Sequence, residues 1–125
     1  MRTKMQAFKL GDIFDVYLEF EDDPANGERR PVIVIGEQNN DIFILVSTTS
    51  KPRNHPLRWY DKFKIPIHNW RKSGFDRASW CNGKILIKYS TQDLKRLITP
   101  EDYRGRITRS DFNYIIEKLN ELYEK

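Results

Sequence analysis

Residues that could bind a phosphodiester are concentrated in the middle of the 125-residue chain. Residues 51–88 include ten lysines and arginines but two acidic residues, so this segment carries a formal charge of +8 and the rest of the chain −4. All three tryptophans, Trp59, Trp70 and Trp80, lie in the same segment. Cations neutralise phosphates, and aromatic rings stack on unpaired bases. The segment therefore indicates a surface for single-stranded nucleic acid, although a solvated basic loop with core aromatics would have the same composition.

Several catalytic and metal-binding chemistries lack the residues that they need. The chain has one cysteine, Cys81, and its two histidines, His55 and His68, lack the His-x₃-His spacing, so we expect no disulfide and no zinc site. The six glycines are scattered singly and no Gly-x-Ser-x-Gly sequence occurs, which argues against a phosphate-cradling loop and a serine-hydrolase elbow. The remaining candidates are Arg, Ser or Thr, Asp or Glu, and one His. They favour chemistry without a metal or cofactor, or no chemistry at all.

Length and composition indicate a single domain spanning residues 1–125. Apolar residues make up 38% and aromatic residues 13% of the chain, which is enough to build a core at this length. The longest apolar runs, residues 32–35 and 42–46, are too short to cross a bilayer, and the start of the chain does not resemble a signal peptide. With a single cysteine, these features predict a cytoplasmic protein that does not contact membranes.

Patterning predicts five short strands. Alternation of apolar and polar residues is typical of a strand with one buried face, and a short continuous apolar run is typical of a fully buried strand. The predicted strands comprise residues 14–20, 32–35, 42–46, 63–67 and 80–88. Residues 21–30 are predicted to form a turn-rich loop because of Pro24 and the Asn26–Gly27 pair. Pro31 is predicted to open the second strand, and residues 47–61 to form a long loop.

Three helical segments are predicted after the strands. Residues 90–98 fit a short helix capped by Ser90 or Thr91, and residues 99–102 fit a helical turn. A longer C-terminal helix, with Ser110 as its cap, has one apolar stripe. The stripe consists of Phe112, Ile115, Ile116, Leu119, Leu122 and Tyr123. The predicted fold is α+β and β-rich: a small antiparallel barrel closed by a C-terminal helix, with short helical turns.

Four short motifs follow one another along the chain. They are Gly11-Asp12-Ile13, Glu28-Arg29-Arg30-Pro31 with the apolar residues 32–35, Thr48-Thr49-Ser50-Lys51, and GRITRSDFNYIIEKL at residues 105–119. In order and spacing they resemble the MazF/PemK family of toxin–antitoxin endoribonucleases, whose pattern is Gly-Asp-Ile or Val, a loop to Arg-Pro with an apolar strand, and Thr-Ser-Lys. The resemblance covers about residues 10–122.

The resemblance implies an SH3-like β-barrel that acts as a homodimeric toxin, an mRNA interferase held in check by an antitoxin peptide. It implies cleavage of single-stranded RNA without a metal, with Arg30 and Thr49 as the catalytic residues. When a ribose 2′-OH attacks its own 3′-phosphate, charge builds on the phosphoryl oxygens, where a guanidinium and a hydroxyl can donate hydrogen bonds. We therefore assign Arg30 to the phosphate and leave open whether it also serves as acid or base.

Further RNA contacts are expected beside these two residues and in the basic segment. They are Arg29, Ser50, Lys51, Arg53, His55, Trp59, Arg77, Asn82 and Lys84. A structural role is the alternative for each catalytic candidate. Arg30 could pair with Glu28 or Asp22 at the surface, and Thr49 could bond nearby backbone at a strand end. A one-residue slip in register would expose Thr48 in place of Thr49.

The chain departs from the family pattern at Trp80-Cys81-Asn82-Gly83. PemK-like relatives often carry Arg-Cys-Asp-Gln there, and the Arg and Asp serve cleavage. Asp76, Arg77 or His68 could supply the missing groups. The alternative function is a catalytically inactive SH3-like barrel that binds RNA or a protein partner, and a third is a protein-binding adaptor that uses the acidic residues 21–23.

Overall fold

The computed structural model describes residues 8–20 and 23–123, and within them six strands form one antiparallel sheet. The sheet curls into a half-barrel, so the predicted α+β fold, a small antiparallel barrel with a C-terminal helix and short helical turns, is confirmed. The strands are β1 (Asp12–Phe20), β2 (Asp23–Gln38), β3 (Ile42–Thr49), β4 (Lys64–Pro66), β5 (Trp80–Ser90) and β6 (Tyr103–Arg106). Their order across the sheet is β4-β5-β3-β2-β1-β6.

Two α-helices and two 3₁₀ helices complete these elements. The α-helices are α1 (Thr91–Leu97) and α2 (Arg109–Tyr123), and the 3₁₀ helices are Trp59–Phe63 and Pro100–Asp102. Of the two caps predicted for α1, Ser90 is the observed one, because its hydroxyl accepts a hydrogen bond from the backbone N–H of Asp93. No described helix has the length and apolar character needed to cross a bilayer.

Buried side chains lie on both faces of the sheet, which explains the continuous apolar runs in β2 and β3. One face packs Ile33 and Val46 with Ile115 of α2. The other face packs Val32 and Leu45 with residues of α1 and the segment after it. A strand covered on both faces has no position where a polar side chain would reach water, so alternation disappears.

The predicted loop over residues 21–30 is wrong for residues 23–30, which belong to β2. Glu28 pairs with Leu18 of β1, and the ladder continues as far as Asp23, so sheet pairing overrides the local turn preference. A β-carbon on Gly27 would lie 2.4 Å from the carbonyl oxygen of Leu18, and only glycine allows this approach. Pro31 lies inside the long strand rather than at its start.

Several predicted boundaries also change. The strand of residues 42–46 continues to Thr49, so the following loop is shorter than predicted. The cap of α2 is Thr108 and not Ser110, because the Thr108 hydroxyl accepts a hydrogen bond from the backbone N–H of Asp111 and Ser110 lies within the helix. Strand β6 was not predicted, since its sequence, Tyr-Arg-Gly-Arg, has neither an apolar run nor alternation.

Candidate nucleic-acid cleft

An open cleft of about 470 Å³ lies beside the first half of β2 and the end of β3. Its walls come from four parts of the chain: the first half of β2, the end of β3 with the residues after it, the segment before β5, and β6. The lining residues are Glu28, Arg29, Arg30, Pro31, Thr48, Thr49, Ser50, Lys51, Phe75, Asp76, Arg77, Ser79 and Arg104. Both catalytic candidates, Arg30 and Thr49, therefore line the same cleft.

The pairing of β2 with β3 explains why these two residues lie together. Val32 pairs with Ser47 at the end of the β2–β3 ladder, and Arg30 and Thr49 each lie two residues beyond that pair. The hydroxyl of Thr48 donates a hydrogen bond of 2.8 Å to the carbonyl oxygen of Pro31, which holds the strands together at the intervening position. Side chains two residues apart on a strand project on the same face, so Arg30 and Thr49 lie on the face shared by the paired residues Val32 and Ser47.

The two neighbouring threonines have different environments. Thr48 is only 2% exposed, and its hydroxyl is engaged with Pro31. Thr49 is partly exposed, and its hydroxyl oxygen accepts a hydrogen bond of 3.2 Å from the backbone N–H of Lys51. This bond uses the oxygen as an acceptor, so the hydroxyl proton of Thr49 can be donated to a ligand.

Arg30 forms an ion pair with Glu28 at the cleft, with 3.0 Å between Nε and Oε2. The hydrogen bond and charge of Arg30, with a smaller effect of Lys51, lower the pKa of Glu28 below its ordinary 4.5. Glu28 is therefore ionised at neutral pH. The pairing considered as a structural role for Arg30 is present, and it fixes the guanidinium within the cleft. Residue 22, the other partner considered, lies outside the described residues.

Two further arginines hold the walls of the cleft. Arg29 pairs with Asp102 and also donates to the carbonyl oxygen of Asp15. Arg104 of β6 pairs with the carboxylate of Asp15 at 3.1 Å and donates to the carbonyl oxygen of Gly74. These pairs link β2 and β6 to their neighbours. They also leave Arg29 and Arg104 with partly neutralised charge.

Lys51 and Arg77 provide more accessible positive charge. Lys51 is exposed and takes part in none of the ion pairs among the described residues. Arg77 is exposed and lies 3.4 Å from Asp76, which is also exposed. An anion entering the cleft would therefore meet Lys51, the remaining N–H groups of Arg30 and, at the rim, Arg77.

Five of the predicted RNA contacts do not line this cleft. Arg53 donates to the carbonyl oxygen of Lys64 and lines a separate depression beside α2. His55 is exposed in the loop after β3. Trp59, Asn82 and Lys84 lie near one another around the 3₁₀ helix Trp59–Phe63 and β5.

Of the three residues considered as replacements for the missing Arg and Asp, two line the cleft and one does not. Asp76 and Arg77 line the cleft, whereas His68 lies against Tyr114 with its Nδ1 3.7 Å from a carboxylate oxygen of Asp111. Cys81 is fully buried, and burial raises the pKa of its thiol, so it stays protonated.

The sequence did not single out Arg104 and Ser79 as cleft residues, and it indicated Glu28 only as an ion-pair partner of Arg30. Arg104 reaches the cleft only because β6 pairs with β1, and no local signal marks β6. Ser79 lies just before β5, where its hydroxyl bonds the carbonyl oxygen of Arg77.

The described residues contain no group of three or more His, Cys, Asp or Glu that could hold a metal ion. The sequence matches no protein-family model and no curated protein. Evidence for the function of this protein therefore comes from the residues of the cleft and from the motif resemblance.

Proposed function

We propose that the protein is a metal-independent endoribonuclease that cleaves single-stranded RNA by attack of a ribose 2′-OH on the adjacent phosphate. The observation that supports this most is the presence of Arg30, Thr49, Lys51 and Glu28 in one open cleft. These residues supply hydrogen-bond donors for a phosphate, a positive charge and a carboxylate.

The phosphate would be held by cations and a hydroxyl. The N–H groups of Arg30 that do not face Glu28 can donate to the phosphoryl oxygens, and the Thr49 hydroxyl can donate to another oxygen. Lys51, next along the chain from Ser50, adds charge without a competing carboxylate among the described ion pairs. Donors that are already in place where charge develops lower the barrier most.

Glu28 is the candidate base in this mechanism. Its carboxylate takes the proton from the 2′-OH as the 2′-oxygen forms a bond to phosphorus and the bond from phosphorus to the 5′-oxygen breaks. The products are a 2′,3′-cyclic phosphate and a 5′-hydroxyl. Lys51 is the candidate acid that protonates the leaving 5′-oxygen, and Arg30 stabilises the charged transition state.

The biological setting follows from the motif resemblance and is part of the proposal. The protein would be the toxin of a toxin–antitoxin pair, a cytoplasmic homodimer inhibited by an antitoxin peptide. An acidic peptide would complement the same positively charged cleft that we assign to RNA.

The test is cleavage of single-stranded RNA by purified protein in the presence of EDTA. We expect products that end in a 2′,3′-cyclic phosphate, and no cleavage by the Arg30→Ala variant. Arg96→Ala is the control, because Arg96 is an exposed arginine of α1 that lies outside the cleft. RNA that is bound in a salt-sensitive manner but stays intact would favour the inactive RNA-binding barrel instead.

A further inference from the structure

The side chain of Trp59 is a large aromatic group that is exposed to solvent. It is 69% exposed, whereas Trp70 and Trp80 are partly buried. The neighbouring Leu57 is 63% exposed. Isolated exposed apolar residues need no explanation, but an exposed indole on a rigid segment beside a cation is typical of a recognition surface.

The segment that carries Trp59 is rigid because of the carboxylate of Asp61. Asp61 is 1% exposed and accepts hydrogen bonds from the backbone N–H groups of Arg58, at 2.8 Å, and Asn54, at 3.2 Å. The side-chain amide of Asn54 also donates to it. These bonds fix the loop before the 3₁₀ helix Trp59–Phe63, so Trp59 occupies a defined position.

The ammonium group of Lys84 lies against the indole of Trp59. Its Nζ lies 5.6 Å from the centre of the Trp59 ring, within the range of a cation–π contact. Lys84 belongs to a bulge in β5, because β3 pairs Val46 with Leu86 and then Ser47 with Asn82. Residues 83–85 are thereby displaced from the β3 ladder.

The bulge is itself fixed by side chains. The hydroxyl of Tyr123, near the end of α2, lies 2.6 Å from the carbonyl oxygen of Gly83 and 2.8 Å from that of Lys84. The side chain of Asn82 accepts a hydrogen bond from the backbone N–H of Lys84. Trp59 and Lys84 thus come from separate elements, and each is held by its own hydrogen bonds.

We infer that Trp59 and Lys84 form a second RNA subsite, outside the cleft, that binds one unpaired nucleotide. The base stacks on the exposed indole, and Lys84 contacts the adjacent phosphate. This inference rests on the proposed function, since it extends the path of the same RNA. It also accounts for Trp59, Asn82 and Lys84, which the cleft does not include.

Charge and position favour RNA over a protein as the occupant. The neighbouring side chains of Arg58, Lys62 and Lys84 are exposed and basic, while the carboxylate of Asp61 is buried. The subsite is also close to the cleft along β5. Trp80 of β5 pairs with Thr49. Lys84 lies four residues after Trp80, so the two backbone positions are at most roughly 13 Å apart at strand spacing.

The experiment measures binding of a short single-stranded 2′-deoxy oligonucleotide by fluorescence anisotropy. This probe lacks the 2′-OH nucleophile, so binding is measured without cleavage and whether or not the protein is a ribonuclease. We expect Trp59→Ala to weaken binding roughly tenfold, and Trp59→Phe to restore most of the affinity because it keeps an aromatic face. Leu57→Ala removes a similarly exposed side chain from the same loop and should leave the affinity unchanged.

Abasic nucleotides then locate the stacked base. In a series of oligonucleotides with one abasic residue each, a single position should weaken binding to the wild type but not to Trp59→Ala. Lys84→Gln should reduce the salt dependence of binding more than Lys88→Gln, its control on the same strand.

The inference is overturned if Trp59→Ala binds the probe like the wild type, if Leu57→Ala is equally damaging, or if the wild type does not bind. If Trp59→Ala binds the probe like the wild type, the exposed indole would instead indicate a surface for a protein partner. Cleavage of ordinary RNA is scored separately, so loss of the subsite with cleavage intact refutes this inference alone. Absence of cleavage with an intact subsite refutes the endoribonuclease alone.

Discussion

The hydroxyl of Thr48 donates a hydrogen bond of 2.8 Å to the carbonyl oxygen of Pro31. This bond joins β2 and β3 one residue before each catalytic candidate is reached, at Arg30 in one direction and at Thr49 in the other. The motif of Arg30 and the motif of Thr49, which are separate in the sequence, therefore lie side by side on neighbouring strands. The predictions for Arg30, Thr48 and Thr49 depend on this arrangement.

Replacement of Arg30 should greatly lower the rate of RNA cleavage with little change in the stability of the fold. Arg30→Ala eliminates the guanidinium donors in the cleft, and loss of one such preorganised donor typically lowers the rate roughly 100- to 1,000-fold. Arg30→Lys keeps the charge but not the planar pair of donors, so its rate should fall between those of the wild type and Arg30→Ala. Single-turnover cleavage of RNA measures both variants, and equal rates for Arg30→Ala and the wild type would contradict the assignment.

The two threonines should separate stability from activity. Thr48→Val leaves the Pro31 carbonyl without its partner and should destabilise the fold by about 1–2 kcal/mol. Thr49→Val should unfold at nearly the same denaturant concentration as the wild type but cleave more slowly, and Thr49→Ser should recover activity. Urea denaturation and RNA cleavage on the same samples test this. A strongly destabilised Thr49→Val would show that its hydroxyl is structural.

The pH dependence of cleavage should have an acid limb that belongs to Glu28. Arg30, with help from Lys51, lowers the pKa of Glu28 below 4.5, so the carboxylate remains able to accept a proton until the pH falls beneath that value. Lys51→Gln removes one of these charges and should move the acid limb to higher pH as well as lowering the rate. Glu28→Gln should abolish the limb together with most of the activity. A limb unchanged in Lys51→Gln would contradict the role of Glu28.

Asp61 should make the loop before the 3₁₀ helix Trp59–Phe63 sensitive to acid. Burial raises the pKa of Asp61, but hydrogen bonds from Arg58 and Asn54 outweigh it, and the pKa is lowered from 3.8. The stabilisation is therefore present above pH 3.8 and is lost as the pH falls through the lower pKa of the folded state.

Comparison of the wild type with Asp61→Asn tests this directly. The difference in unfolding free energy should be largest near neutral pH and should narrow as the pH falls below 3.8. Asp76→Asn is the matched control, because it makes the same change at a carboxylate that is 75% exposed. A constant difference across the pH range would exclude the hydrogen-bonded carboxylate as its source.

Local patterning was sufficient for much of the fold. The apolar residues 32–35 and 42–46 could be assigned to buried strands, and Ser90 to a helix cap, because each signal acts over a few residues. The extension of β2 through residues 23–30 could not be predicted in the same way. It depends on pairing with β1, and the local preference of Asn26–Gly27 for a turn points in the opposite direction.

The candidate site was predictable only where its residues belong to ordered motifs. Arg30, Thr49 and Lys51 could be named because they lie in short segments with a recognisable order. Arg104 could not, because it reaches the cleft through a strand pairing that the sequence does not indicate. The sequence also did not show that Trp59 and Lys84 lie outside the cleft, because the position of a basic residue in the sequence does not reveal which surface it occupies.

The pairing of β1 with β6 has a consequence for synthesis of the protein. Asp12 pairs with Arg106, and Arg104 pairs with Asp15, across almost the whole length of the chain. Because the ribosome releases the N-terminal part first, a nascent chain that ends before β6 has neither this wall nor the partner of Asp15. Under the proposed function, cleavage of RNA would therefore start only after β6 has been synthesised and has paired with β1.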